Sequence, residues 1–452
     1  MTDGDGDADV HTTAHAGDGG PAIRRLADWD GADLADLAGR YGTPLYVADL
    51  DRVRENCARL DAAFPDAEVA YAVKAHTGRA VLDTVREAGL DAECASAGEV
   101  ERALDAGFPG DRVRYTAVNP PDRDLDYVVD AWREHPELTV VAGAADTVDR
   151  LSARGFDGRI AVRANPGVGA GHHEKVRTGA NAKFGVPIDR AADLAVAAAR
   201  DFGMDLVGVH AHAGSGISGD DLSAHRELVR RMGDLARELA DRGLDLEFVD
   251  VGGGFGVPYR EDEPPLDLAA VAEATREALG DVDATLAIEP GRYVVADASV
   301  LLTRINTIKH AAGTAVVGVD AGMTTLARPA LYDAYHAIRN LGSGGEPAES
   351  ASGDAAGDDR GPLPVAEREG TPVTVAGPIC ESGDVLCEDR PLARPRRGEL
   401  LAVGNAGAYG YEMASTYNSR PRPAEVVLTD GRARLARRRE SLADITDTEE
   451  DQ

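Results

Sequence analysis

The chain has 452 residues, room for one large α/β domain and a smaller companion, and its 79 acidic against 48 basic side chains give a formal net charge of −31. Such a surface repels phosphate backbones and lipid headgroups, which argues against nucleic acid and anionic membrane as partners. With 43% hydrophobic residues it is not an acidic disordered polymer, and its four cysteines lack CxxC or metal-ligand spacing, which fits a reducing compartment.

Residues 1–22 are acidic, lack an apolar signal core and are expected to form a disordered leader. No apolar run is long enough to span a bilayer, so the expectation is a soluble, cytoplasmic protein. Residues 23–49 contain the strand-like run Gly42 to Ala48 and are expected to join residues 300–440 in a β domain. Between them, over 50–299, eight apolar runs read as strands: Glu68 to Lys74, Leu90 to Cys94, Val113 to Ala117, Leu138 to Ala142, Arg159 to Ala164, Leu206 to His212, Leu246 to Val251 and Thr285 to Glu289. The stretches between them carry apolar residues at helical spacing, for example Ala80 to Ala88 and Asp221 to Leu239. Eight such repeats predict an α/β fold, a (β/α)8 TIM barrel, with a second, all-β domain built from the two chain ends. Residues 342–370, rich in Gly, Ser and acids without periodicity, are expected to be a flexible insertion, and 441–452 a flexible tail.

Laid over this map, Lys74, Glu93, Asn119, Asn165, His212, Gly252-Gly253-Gly254 and Glu289 all fall at or just past the C-terminal ends of the predicted strands, the catalytic face of such a barrel. The chain keeps only four lysines, Lys74, Lys175, Lys183 and Lys309, against 44 arginines. Lys74 follows a buried run, where a desolvated amine can lose its proton and bond a carbonyl cofactor such as pyridoxal phosphate; arginine cannot. A lysine surviving by chance at a strand end is the alternative. His210 and His212 share a strand face and could bind zinc, but no third ligand stands at convincing spacing, and an imidazole stacked on an aromatic cofactor is the better account, with Ser215 at its phosphate. The glycine triplet and Glu289-Pro290-Gly291-Arg292 follow the seventh and eighth strands, where these barrels often bind phosphate. Glu289 ends an apolar run and needs a partner: a protonated pyridine nitrogen, or else a neighbouring arginine.

Tyr71-Ala72-Val73-Lys74, His212-Ala213-Gly214-Ser215, the glycine triplet, Glu289-Pro290-Gly291-Arg292 and Cys380-Glu381-Ser382-Gly383-Asp384 resemble, in order, the motifs of the fold-type III pyridoxal-phosphate amino-acid decarboxylases. Within that family, Arg328 to His336, Ala406 to Tyr411 and Asn418 to Glu425 resemble the branch acting on meso-2,6-diaminopimelate, which would make the products L-lysine and carbon dioxide. The resemblance implies that Lys74 carries the cofactor covalently, that His212 stacks on its ring, and that Ser215, the glycine triplet and Arg292 lie at its phosphate with Pro290 and Gly291 beside them. Glu289 would hold the ring nitrogen. Arg292, Arg328, Tyr332, Glu381 and Tyr409 match substrate-contacting positions, Tyr409 also lying near the cofactor. Cys380 matches a proton donor that reaches the neighbouring subunit's site, which makes a homodimer with shared active sites the expected assembly. No metal is expected.

A second amino-acid head group on the substrate calls for a cation to hold its carboxylate and an anion to hold its ammonium, and Arg328 and Glu381 supply both. Ornithine- or arginine-type decarboxylases share the cofactor site; a racemase would be expected to have a weaker partner than Glu289, and an inactive regulatory relative would have no use for Lys74, Cys380 and the phosphate loop together. His76, Glu93 and Gly216 depart from the residues usual in the family. The acidic, lysine-poor composition is also similar to that of proteins from salt-loving archaea, in which concentrated salt screens like charges.

Overall fold

The computed structural model describes residues 8–9, 21–168, 183–212, 214, 217, 221–311, 314–342 and 368–450. The chain divides into two compact units, one comprising Met1–Asp51, Tyr259–Glu263 and Ala296–Gln452, the other Arg52–Pro258 and Pro264–Val295.

The second of these is a closed parallel barrel. Its strands are β1 (Ala67–Ala72), β2 (Asp91–Cys94), β3 (Val113–Tyr115), β4 (Thr139–Ala142), β5 (Arg159–Asn165), β6 (Asp205–His210), β7 (Phe248–Asp250) and β8 (Thr285–Ile288). Each pairs in parallel with its sequence neighbours, and β8 closes the ring against β1. All eight match predicted runs, but β1, β3 and β6 stop two residues earlier than predicted. Lys74 therefore lies in a single 3-10 turn, Val73–Ala75, beyond β1, and His212 lies beyond β6. Val141, Ala161, Val207, Phe248 and Ala287 form a core cluster from five different strands. The helices between strands show the expected apolar stripes: Arg79–Glu87 buries Ala80, Val81, Leu82 and Val85, and Ser223–Asp241 buries Leu228, Val229, Met232, Leu235 and Leu239.

The first unit holds an open sheet of ten strands. Leu45–Asp49 is inserted between strands from the far end of the chain, antiparallel to Ser299–Ala311 and parallel to Ala424–Thr429, so both chain ends build one sheet. It is not purely β. Helix Gly31–Tyr41 packs Leu34, Leu37 and Ala38 into the same core as Val47, Val300 and Val426, starting at Asp30, whose side chain accepts from the Ala32 and Asp33 amides, and ending at Gly42. The expected tail is also partly structured, because Ser441 and Asp444 form a capping box that starts helix Leu442–Thr446. In the expected leader Ala8–Asp9 pairs antiparallel with Arg432 and Ala433; its other residues except Pro21 and Ala22, and most of 342–370, lie outside the described residues. Among the described residues, no helix is long and apolar enough to cross a membrane.

Candidate active site

The C-terminal ends of the barrel strands are laced together by backbone. The Ala72 amide donates to the Pro290 carbonyl at 3.2 Å and the Glu289 amide to the Gly252 carbonyl at 3.0 Å, which ties the turn of Lys74 to the loop after β8 and that loop to the one after β7. Side chains would obstruct this lacing. A Cβ on Gly253 would lie 2.0 Å from the Glu289 carbonyl oxygen, and Gly254 holds φ at +100° with the Gly214 carbonyl only 2.7 Å from where its Cβ would stand. A Cβ on Gly291 would press on Ala72 and Ala75, the residues flanking the lysine turn.

Into this frame project the titratable groups. The Lys74 amine is ion-paired with Oε2 of Glu93, which stands on β2. The Lys74 side chain is 39% exposed whereas that of Glu93 is 2% exposed, so the pair joins a solvent-reachable side chain to a buried carboxylate. Burial pushes the Glu93 carboxyl up, and Lys74 pulls it back. Glu289, 5% exposed, has Oε2 3.1 Å from Nε2 of His210, while its Oε1 is buried without a hydrogen-bond donor among the described residues. Burial drives Glu289 up as well, against the charges of Lys74, Arg163 and Arg114.

His212 does not share the role of His210. Its Nδ1 accepts the Gly253 amide at 3.0 Å, and burial, reinforced by Lys74 and Arg163, holds the imidazole well below its usual pKa and therefore neutral. The Gly252 amide goes to Oδ1 of Asp250 at 2.8 Å. Two of the three amides of the glycine triplet, expected at a phosphate, are thus already engaged, and Gly254 carries the one without a partner among the described residues. Arg292 opens the short helix Arg292–Val295 after β8. Ser215 and Gly216 lie outside the described residues.

The group that could hold a metal is not the His210–His212 pair weighed from the sequence. His210, Asp250 and Glu289 bring ligand atoms within 4.8 Å of one another. Asp250, however, already spends Oδ1 on the Gly252 amide and Oδ2 on Arg114 Nη1 at 3.2 Å, so its lone pairs serve the protein's own donors. Asp250, Arg114 and Arg163 were not singled out by sequence reasoning. The available signal was a charged residue inside each of the apolar runs of β3, β5 and β7, all three of them buried.

In the other unit, Arg328 begins helix Arg328–Tyr332, buried, with Nη1 2.9 Å from Nε2 of His336; His336 Nδ1 meets the Gly404 carbonyl at 2.9 Å. Since a carbonyl can only accept, Nδ1 carries the hydrogen and Nε2 offers its lone pair to the guanidinium. Tyr259 stacks against Arg328, with the guanidinium carbon 5.0 Å from the ring centroid. Tyr332 is half-buried, and Tyr409, also half-buried, holds φ at +57°. Cys380 is exposed, its Sγ 3.5 Å from Nδ2 of Asn418, and Oε1 of Glu381 accepts the Tyr417 hydroxyl at 2.6 Å. Their turn is pinned by buried Asp384, which accepts the amides of Met323 and Ile379 and sits against Gly322 and Gly377, where any Cβ would strike its carboxylate. Sequence reasoning placed Asp384 in the motif without seeing this anchoring role, and it missed Tyr417 altogether.

Residues 50–296 match the family model described as pyridoxal-dependent decarboxylase, pyridoxal binding domain. The chain is 40% identical to the diaminopimelate decarboxylase of Methanothermobacter thermautotrophicus, covering 92% of this chain and 93% of that protein. Its fold is similar to the crystal structure of diaminopimelate decarboxylase from Helicobacter pylori complexed with L-lysine, with a TM-score of 0.81 and 30% identity over 92% of this chain and 99% of that one. At 25% identity and a TM-score of 0.72 it is also similar to the lysine decarboxylase of Selenomonas ruminantium, over 90% and 98% of the two chains.

Proposed function

The chain belongs to the pyridoxal-dependent decarboxylases and, among them, to the diaminopimelate decarboxylases, and from that premise we propose a division of labour among its residues. It is a carboxy-lyase that converts meso-diaminopimelate to L-lysine and carbon dioxide with pyridoxal 5'-phosphate as cofactor. The single observation that carries the site assignment is Glu289 Oε1, a buried carboxylate oxygen without a donor among the described residues, at the same strand ends as the Lys74 amine. A protonated pyridine nitrogen would satisfy that oxygen, and a lysine with a partly exposed side chain would bond the aldehyde, so the residues present fit the group.

Lys74 would hold the cofactor covalently, with Glu93 balancing its charge until it reacts. Neutral His212 offers a flat face that is pinned by the Gly253 amide. Gly254, Ser215 and Arg292 would take the phosphate, and Pro290 and Gly291 keep the loop close to the lysine turn. When bound, the cofactor supplies an electron sink for the pair left at Cα by the departing carboxylate. Arg328 and Glu381 would select the distal head group by charge, their orientation supported by His336 and Tyr417, with Arg292, Tyr332 and Tyr409 lining the same substrate. Cys380 would return a proton to Cα, and its exposure suits delivery to a neighbouring subunit in a homodimer with shared sites.

A substrate panel tests this reading. Carbon dioxide release should be at least tenfold faster, as kcat/KM, with meso-diaminopimelate than with ornithine, arginine or lysine, the margin of one charge-assisted contact at about 1.4 kcal/mol per tenfold. Preference for a diamine precursor would instead place the chain with the ornithine- or arginine-type enzymes.

A further inference from the structure

Beneath Glu289 lies a polar assembly that the division of labour above leaves unused. His210 on β6 is 1% exposed, and Asp250 on β7 likewise. The contact of His210 Nε2 with Glu289 Oε2 admits three proton arrangements: an imidazolium facing a carboxylate, a neutral imidazole donating from Nε2, or a neutral imidazole accepting a proton from a carboxylic acid. The first and third put a hydrogen on Nδ1, and Nδ1 is buried without a partner among the described residues. An N–H donor stranded there is costly, whereas a lone pair left over costs less.

The charges facing the ring are the carboxylates of Asp250, Glu93 and Glu289 and the cations Arg163 and Lys74, with Arg114 behind Asp250 and His212 two residues along the chain. Burial outweighs them and takes the imidazole down to about 4, so it is neutral across the working range. The second arrangement is the one left.

Resting on the reading of Glu289 as partner of the ring nitrogen, we propose that His210 is a positioning residue, a neutral imidazole with its hydrogen on Nε2 that fixes Oε2 of Glu289 and favours the ionised carboxylate, so that Oε1 stays available as an anion for the cofactor. A donor hydrogen bond favours a charged carboxylate. Here it opposes burial, which would otherwise leave Glu289 protonated and unable to pair with a ring N–H. Asp250, whose contact likewise lowers Glu289, is itself tethered to the Gly252 amide and to Arg114.

Two measurements decide it. The first is nitrogen-15 spectroscopy of histidine-labelled, cofactor-free protein, with the His210 signals assigned by their loss in His210→Gln. The expected result is a protonated Nε2 and an unprotonated Nδ1, unchanged from pH 6 to pH 8. A hydrogen on Nδ1, or an imidazolium titrating in that range, overturns the proposal. The second is pyridoxal phosphate affinity, read by titration and by the absorbance of the bound cofactor, for His210→Leu, His210→Gln and Glu289→Gln.

Leucine removes the donor at similar volume, and affinity should fall about 10- to 100-fold, the worth of a hydrogen bond to a charged group, with the loss shrinking as pH rises and the Glu289 carboxyl ionises. Glutamine places an amide nitrogen where Nε2 stands and should stay within about threefold of the parent for the same reason. Equal losses in the leucine and glutamine variants, with native circular dichroism, would mark His210 as packing only. Parental affinity in His210→Leu alongside a weakened Glu289→Gln would overturn the role of His210 alone. Parental affinity in Glu289→Gln would remove the reading of Glu289 and this proposal with it.

Discussion

Arg328 and Glu381 are the side chains proposed to choose the substrate, and each is contacted by a neighbouring side chain, His336 and Tyr417. Arg328 faces the lone pair of His336, a partner that orients the guanidinium. Arg328→Ala should therefore raise KM for diaminopimelate by a cost on the order of 2–5 kcal/mol, the price of leaving a buried charge unpaired, while the absorbance of the bound cofactor stays parental. An unchanged KM, or a lost cofactor spectrum, would contradict a role in selection. At this scale Lys74, Glu289 and Cys380 are legible in the sequence, because each is a reactive side chain next to an apolar run or within a long motif. Asp250, Arg114 and Arg163 are not. A charge inside a strand gains meaning only when its partner is known, and the Arg114 and Asp250 partners lie 136 residues apart.

The loops after β7 and β8 act as one element. Gly253 must pass beneath the Glu289 carbonyl with no room for a Cβ, while its amide holds His212. Gly253→Ala should force these loops apart, lowering cofactor affinity by more than tenfold and stability by about 1–3 kcal/mol, as overpacking does elsewhere. Urea unfolding and cofactor titration together check it, and parental values in both would show that the loops are not coupled. The strands of the barrel were readable to within about three residues, since buried parallel strands appear as continuous apolar runs. Two helices were not. Gly31–Tyr41 has its capping signal in Asp30 and its stop in Gly42, but lies in a segment otherwise read as strand, and Leu442–Thr446 is too short to show a period.

The whole molecule is expected to work as a pair. Cys380 is exposed on the unit that contains both chain ends, as a donor acting across an interface must be before assembly. Mixing inactive Lys74→Ala and Cys380→Ala subunits should restore about a quarter of parental activity per site, because half of randomly reassorted dimers are mixed and each has one intact site. No recovery after verified exchange would rule out shared sites. The central claim, that this chain decarboxylates diaminopimelate through a cofactor held on Lys74, is tested most directly by incubating it with meso-diaminopimelate and pyridoxal phosphate, measuring lysine and carbon dioxide together, then reducing the resting enzyme with borohydride and mapping the labelled peptide. The account predicts equal amounts of the two products, none from Lys74→Ala, and label on the Lys74 peptide. Carbon dioxide without lysine, or label on Lys175, Lys183 or Lys309, would contradict it.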